Sequence, residues 1–147
     1  MIHKKPLIPQ RLRTIQGSFA TIEHRFLRDG FWSILSHHEL LLYFLLILVS
    51  DRHGLSFYGY DKLCSLLQMS LDDYLEARNR LIQKDLIAFD GRIFQVLSLP
   101  GHPEDVPSST MKTQTDMERS DPATVHLLCR QAFGEKTMRN HRQRVRT

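Results

Sequence analysis

The chain of 147 residues has only two cysteines, Cys64 and Cys129, and they form no CxxC motif. Such sparse and distant thiols exclude a disulfide framework and a cysteine-based zinc site, and they are typical of a reducing compartment. We therefore expect a cytoplasmic protein. Long hydrophobic runs are also missing, because the longest, residues 40–49, has about half of the ~20 residues that a membrane-spanning helix needs. This run predicts a buried helix in a globular protein, without membrane contact.

Motifs for catalysis or metal binding are missing as well. The chain contains no GxSxG, HExxH, P-loop or GxGxxG pattern. His37 and His38 are adjacent, so on a helix they diverge by about 100° and cannot hold a metal as an i, i+4 pair can. His53, His126 and His141 have no cysteine or carboxylate at ligand spacing. We predict no enzymatic activity, no cofactor and no metal site.

Acidic residues are lacking at both ends of the chain. Residues 1–14 hold four basic side chains and no acid, residues 136–147 are also free of acid, and residues 15–100 carry a net charge of −2. Basic ends attract nucleic-acid phosphates without conferring sequence specificity, although such an end can also be a solvated tail. The basic residues proposed to contact nucleic acid here are Lys4, Lys5, Arg11, Arg13, Arg139, Arg142, Arg144 and Arg146.

The length fits one domain with tails. Pro6, Pro9 and Gly17 predict a basic N-terminal arm over residues 1–17, and residues 18–100 form the predicted domain. The Pro-, Ser-, Thr- and Asp-rich residues 101–121 predict a disordered linker. After it, the sequence predicts a short helix over 122–133 and a basic tail to residue 147.

Start and stop signals define the helices of this domain. Ser36-His37-His38-Glu39 has the spacing of a capping box, and Gly54 suits a left-handed helix end, so we predict a helix over residues 37–52. This helix is apolar on every side and must be covered by other helices, or in part by a second subunit. Further helices are predicted over 57–67 and 70–84, the latter capped by Ser70.

Two segments have the composition of β-strands. Residues 86–89 and 92–97 flank Asp90-Gly91, which predicts a hairpin with a type I′ turn. Phe19-Ala20-Thr21-Ile22 favours a strand over residues 18–23 followed by a helical turn through Arg28. Phe19, Ile22 and Phe26 also fit a helical face, which leaves that alternative open.

The order of helix, tight turn, helix and hairpin, together with two local motifs, resembles a known superfamily. The motifs are residues 62–70 (KLCSLLQMS) and 81–87 (LIQKDLI), preceded by the turn from Asp51 to Gly54. Over residues 26–97 the chain is similar to winged helix-turn-helix proteins, most closely to replication-initiator-like and mobile-element accessory members. The resemblance implies a mainly α fold with a small β-hairpin, a three-helix winged helix-turn-helix with flexible N- and C-terminal arms, and double-stranded DNA as partner. The residues compatible with DNA contact are Ser70, Arg78, Asn79, Arg80, Lys84 and, in the wing, Arg92.

The chain departs from the superfamily pattern at two places. Asp85 stands where a glycine usually forms a left-handed helix end, a conformation that aspartate tolerates. The start of the third helix shows Leu71, Asp72, Asp73 and Leu75 instead of basic or hydroxyl residues. The two aspartates are explained by the helix dipole, because carboxylates near its positive end stabilise the helix by ~0.3–1 kcal/mol. Leu71 and Leu75 either form an exposed protein interface, with the C-terminal helix or with a partner, or belong to the core.

Two functions follow from this sequence. The first is a DNA-binding winged helix, alone or as a dimer, that regulates or assists replication, transposition or transcription. The alternative is a protein-interaction winged helix that acts as an adaptor with little sequence-specific DNA binding.

Overall fold

The computed structural model describes residues 2–103, 121–124, 126, 127 and 129–131. These residues form a mainly helical fold with one small antiparallel sheet, which confirms the predicted fold class at that level. The elements in chain order are α1 (Arg25–Arg28), α2 (Phe31–Ile34), α3 (His37–Val49), β1 (Leu55–Ser56), α4 (Tyr60–Leu67), α5 (Leu71–Gln83), β2 (Ile87–Phe89) and β3 (Phe94–Val96), with a 3-10 turn at Pro9–Arg11. Within the described residues, no helix combines the length and apolar character needed to cross a bilayer.

The capping box at the start of α3 is confirmed. Ser36 Oγ accepts from the Glu39 amide at 3.3 Å, and the Glu39 carboxylate accepts from the Ser36 amide at 3.0 Å. The helix ends at Val49, before the predicted residue 52, because the Asp51 carboxylate accepts from the amides of His53 and Leu55 and turns the chain there.

The predicted strand over residues 18–23 is wrong. These residues are exposed and pair with no strand of the described chain, although the helical turn through Arg28 is confirmed as α1. The β-forming side chains of Phe19 and Ile22 do not suffice, because a strand needs a partner and a covered face. The central strand β3 has both of its edges occupied, by β1 and β2.

The predicted hairpin is confirmed, but its turn type is wrong. Phe89 pairs with Phe94, and the two rings stack with centroids 4.1 Å apart. A type I′ turn needs positive φ at two residues. In the loop between β2 and β3 only Gly91 has it, while the Asp90 carboxylate accepts from the amides of Arg92 and Ile93. The sequence did not predict the third strand, β1, which pairs with β3 at Leu55–Gln95.

Helix α5 occupies the centre of the core. It begins after Ser70, whose hydroxyl accepts from the Asp73 amide at 3.1 Å, and Asp85 adopts the expected positive φ of 61° after its end. The buried side chains of α5 are Tyr74, Leu75, Ala77, Arg78, Leu81 and Ile82.

The predicted exposure of Leu71 and Leu75 is wrong, and their assignment to the core is confirmed. Leu75 is buried, and the half-buried Leu71 packs against the core cluster. The reason is that α5 is surrounded by α3, α4, β2 and the described residues after 120. Both leucines are therefore removed as protein-interface candidates.

Candidate nucleic-acid interface

Arg78, which the sequence predicted to contact DNA, is fully buried. Its Nη1 lies 2.5 Å from Asp121 Oδ2, and its guanidinium lies over the rings of Tyr74 and Phe89, 5.7 and 5.1 Å from their centroids. A phosphate cannot reach a side chain that is enclosed and paired in this way. The prediction of a DNA contact at Arg78 is wrong, because its guanidinium is paired with the carboxylate of Asp121, which is distant in sequence.

Lys84 is half-buried and is also bound to internal groups. Its Nζ donates to the Ile34 carbonyl at 2.7 Å and to Glu39 Oε1 at 2.5 Å. Burial raises the pKa of Glu39, but hydrogen bonds from Lys84 and Ser36 and the charge of Lys84 lower it further, so that the pKa lies below its usual value. Lys84 therefore joins α5 to the start of α3 and is not available for a DNA contact.

The exposed face of α5 has no excess of positive charge among the described residues. Arg80 forms an ion pair with Glu76 at 2.8 Å, and Asp72 forms one with Arg130 at 3.0 Å. Asn79 is half-buried, and its Oδ1 accepts from Arg78. Ser70 is exposed, but its hydroxyl caps the helix. This face therefore offers Arg80 and little else to a phosphate backbone.

The described residues from 121 to 131 are helical after Asp121 and pack on α4 and α5. Ala123 is buried in the core cluster, and the hydroxyl of Tyr60 lies 2.8 Å from His126 Nδ1. Asp121 caps this segment by accepting from the amides of Ala123 and Thr124. Its placement in a disordered linker is corrected, because its buried carboxylate pairs with Arg78. The docking also corrects the expected flexibility of the C-terminal arm over these residues.

Three parts of the C-terminal prediction lie outside the described residues. These are the linker over 104–120, the helix positions Val125, Leu128 and Ala132, and the basic tail with Arg139, Arg142, Arg144 and Arg146. The N-terminal arm is described from residue 2, and its basic side chains Lys4, Lys5, Arg11 and Arg13 are all exposed. Exposure leaves these four cations accessible to a phosphate backbone.

A second group of exposed cations lies beside aromatic rings on the body of the protein. Arg92, in the loop between β2 and β3, lies over the exposed ring of Phe57 with 5.9 Å to its centroid. Lys62, in the first turn of α4, lies over the ring of Tyr58 at 4.7 Å. We call Phe57, Tyr58, Lys62 and Arg92 the basic-aromatic patch.

Of the patch, only Arg92 was predicted from the sequence to contact DNA. The available signal was the aromatic run Phe57-Tyr58-Gly59-Tyr60 followed directly by Lys62. Aromatic rings interleaved with cations are typical of surfaces that bind single-stranded nucleic acid. The hairpin then places Arg92 against Phe57, although the two are far apart in sequence.

Metal ligands do not cluster in the part of the chain that the structure describes, where no three His, Cys, Asp or Glu side chains could hold an ion together. Comparison of the chain with family models, with curated protein sequences and with solved structures found no match.

Proposed function

We propose that this chain is a winged helix-turn-helix DNA-binding protein that acts as a cytoplasmic regulator or accessory factor in replication, transposition or transcription. The observation that carries the proposal is the order of the elements along the chain: α4, a three-residue turn, α5 and the β2–β3 hairpin. Exposed cations lie beside these elements. The turn consists of Gln68, Met69 and Ser70, with Gln68 in the left-handed conformation at φ 54°. This order is the one that the motif requires.

The attraction to DNA comes from the N-terminal arm and the basic-aromatic patch. Arg78 on α5 and Lys84 directly after it are bound to internal carboxylates, and Arg80 on α5 is paired with Glu76. Contacts from the arm reach phosphates and carry no sequence information. We therefore expect binding that depends strongly on salt and only weakly on sequence.

Removing arm cations tests this function. Binding of a short labelled duplex is measured by fluorescence anisotropy between about 50 and 200 mM salt. The double variant Arg11→Ala with Arg13→Ala should reduce the slope of log K against log salt by about 2, since each lost phosphate contact contributes about 0.9. The matched control is Arg28→Ala with Arg52→Ala, which removes two exposed cations from the body.

The control variant should change the slope by less than the value of about 0.9 that one phosphate contact contributes. Failure of the wild-type protein to bind duplex DNA at low salt would reject the function. Equal slopes in the two double variants would show that the arm has no special role.

The alternative function, that of an adaptor, is supported by a different surface, the outer side of α3. Leu41 and Leu48 are 49% and 69% exposed, and the half-buried Phe44 between them packs 5.8 Å from the exposed ring of Trp32. A contiguous exposed apolar surface is typical of a protein-binding site. This stripe replaces Leu71 and Leu75 as the candidate protein interface, whether for a second copy of the chain or for another protein.

Light scattering tests whether the stripe joins two copies of the chain. If the stripe joins two copies, Leu41→Asp with Leu48→Asp should convert a dimer to a monomer without unfolding it, because both side chains are exposed. The wild-type protein is compared over a concentration series, and DNA binding is measured in parallel. A monomeric wild type, combined with unchanged DNA binding of the variant, leaves the DNA-binding function as the better supported one.

A further inference from the structure

A cavity of about 350 Å³ adjoins the basic-aromatic patch, between the β2–β3 loop, the start of α4 and residues 121–122. Its lining is mostly apolar and includes five aromatic side chains. Two of them, Tyr74 and Phe89, are buried and held in the core, while Phe57 is 68% exposed. The aromatic residues are Phe57, Tyr58, Tyr60, Tyr74 and Phe89. This volume and lining are typical of a small-molecule binding site.

The cations of the patch lie beside this cavity. Arg92 lines the cavity itself and contacts Phe57, and Lys62 contacts Tyr58, which also lines it. Proteins that bind single strands combine aromatic rings, on which bases stack, with cations that pair with the phosphates. We propose that the cavity and the basic-aromatic patch together bind one unpaired nucleobase of a nucleic acid. This inference rests on the proposed DNA-binding function.

An aromatic cavity could also hold a quaternary ammonium group. Here Lys62 and Arg92 already lie over Tyr58 and Phe57, and they would repel a further cation. Two carboxylates line the cavity wall. Asp121 is paired with Arg78 at 2.5 Å, and Asp61 accepts from the Lys62 amide at 3.0 Å. These charges favour a nucleotide, whose base is neutral and whose phosphate is negative, over a methylated ammonium ion.

The base has to be unpaired before it enters. A base in a duplex is stacked on its neighbours and paired with the opposite strand, and these contacts must be broken to extract it. A bulge, a single-stranded end or a melted segment offers the base without that cost. The site therefore distinguishes locally opened DNA from intact duplex.

A bulged fluorescent base tests the inference. The chain of 147 residues is titrated into a duplex with a single bulged 2-aminopurine and into the fully paired duplex of the same sequence. Stacking on Phe57 should quench the 2-aminopurine fluorescence, and the bulged duplex should bind about tenfold more tightly than the paired one. Phe57→Ala should abolish both the quenching and the preference, whereas Phe57→Trp should retain both.

Phe19→Ala is the matched control, because Phe19 is 66% exposed but lies before α1 and does not line the cavity. This variant should behave like the wild type. Equal affinity for the two duplexes, or quenching that survives in Phe57→Ala, would overturn the inference while leaving the proposed function intact. If neither duplex is bound, both proposals fail. Binding of a trimethyllysine peptide in place of the bulged duplex, lost in Phe57→Ala, would overturn the nucleobase in favour of an ammonium ligand.

Discussion

At the residue scale, the hydrogen-bond partners of Glu39, which is buried at the start of α3, determine whether its carboxylate stays charged. Its carboxylate accepts from the Ser36 amide and from Lys84 Nζ, so the charge is compensated inside the protein. An uncompensated buried carboxylate would instead be neutralised by protonation. The same two hydrogen bonds join three parts of the chain, namely the cap of α3, its first turn and the end of α5.

The depressed pKa of Glu39 makes stability depend on pH. Burial raises this pKa, but the contacts with Lys84 and Ser36 lower it below its usual value. The unfolded chain then binds more protons than the folded one in the acidic range. The contribution is complete above the unfolded pKa of about 4.3 and is lost as the pH falls through the folded value.

Glu39→Gln should therefore flatten the acid side of the stability profile. The free energy of unfolding, measured with urea between about pH 6 and pH 3, should fall less steeply with acid in this variant than in the wild type. Glu76→Gln is the control, since it removes a carboxylate from an exposed pair that solvent screens. Profiles of equal steepness for Glu39→Gln and the wild type would contradict the assigned role.

At the scale of elements, the small sheet depends on one glycine. Gly54 adopts φ +80° between α3 and β1, and its carbonyl accepts from the Val96 amide at 2.8 Å. A Cβ atom at this position would lie 2.6 Å from the Val96 carbonyl oxygen. The residue therefore holds β1 against β3 by a close backbone approach that only glycine permits.

Gly54→Ala should destabilise the protein by about 2 kcal/mol or more, because it combines left-handed strain with a backbone clash. Gly17→Ala is the matched control, since Gly17 has φ +74° but no neighbouring atom within 4 Å of the point where the alanine methyl group would lie. It should cost at most about 1 kcal/mol. Urea unfolding measures both variants, and equal losses would show that the contact with Val96 contributes nothing.

At the scale of the whole molecule, the described residues after 120 close the structure over α4 and α5. The contact is made by the buried pair of Arg78 and Asp121 and by the exposed pair of Asp72 and Arg130. The two pairs join the same segments of the chain but differ in solvent exposure. Their comparison therefore measures what burial adds to an ion pair.

Asp121→Asn should cost about 3–5 kcal/mol of unfolding free energy, because it leaves the Arg78 charge buried without a counterion. Asp72→Asn, which breaks the exposed pair, should cost about 1 kcal/mol or less. Urea unfolding at neutral pH measures both variants. Similar small losses in both would mean that Arg78 is solvated and that this segment does not stay docked.

The sequence by itself determined the local elements. The capping box at Ser36 and Glu39 defined the start of α3, Ser70 defined that of α5, and Asp90-Gly91 marked the hairpin, because each signal involves residues within a few positions of one another. The basic character of the N-terminal arm and the aromatic run before α4 were equally visible. These features follow from short-range hydrogen bonding and composition, which neighbouring residues control.

Only the tertiary structure decided which charged side chains are accessible to a ligand and which are paired inside the protein. Arg78 and Lys84 have the side chains of DNA-binding residues, yet Asp121 and Glu39, 43 and 45 positions away, hold them inside. Distant partners likewise decided that Leu75 is buried and that Arg92 lies against Phe57. Burying a charged group costs free energy unless it is paired, and burying an apolar group requires a surface that covers it. Packing between segments far apart in sequence decides which partner or surface is present.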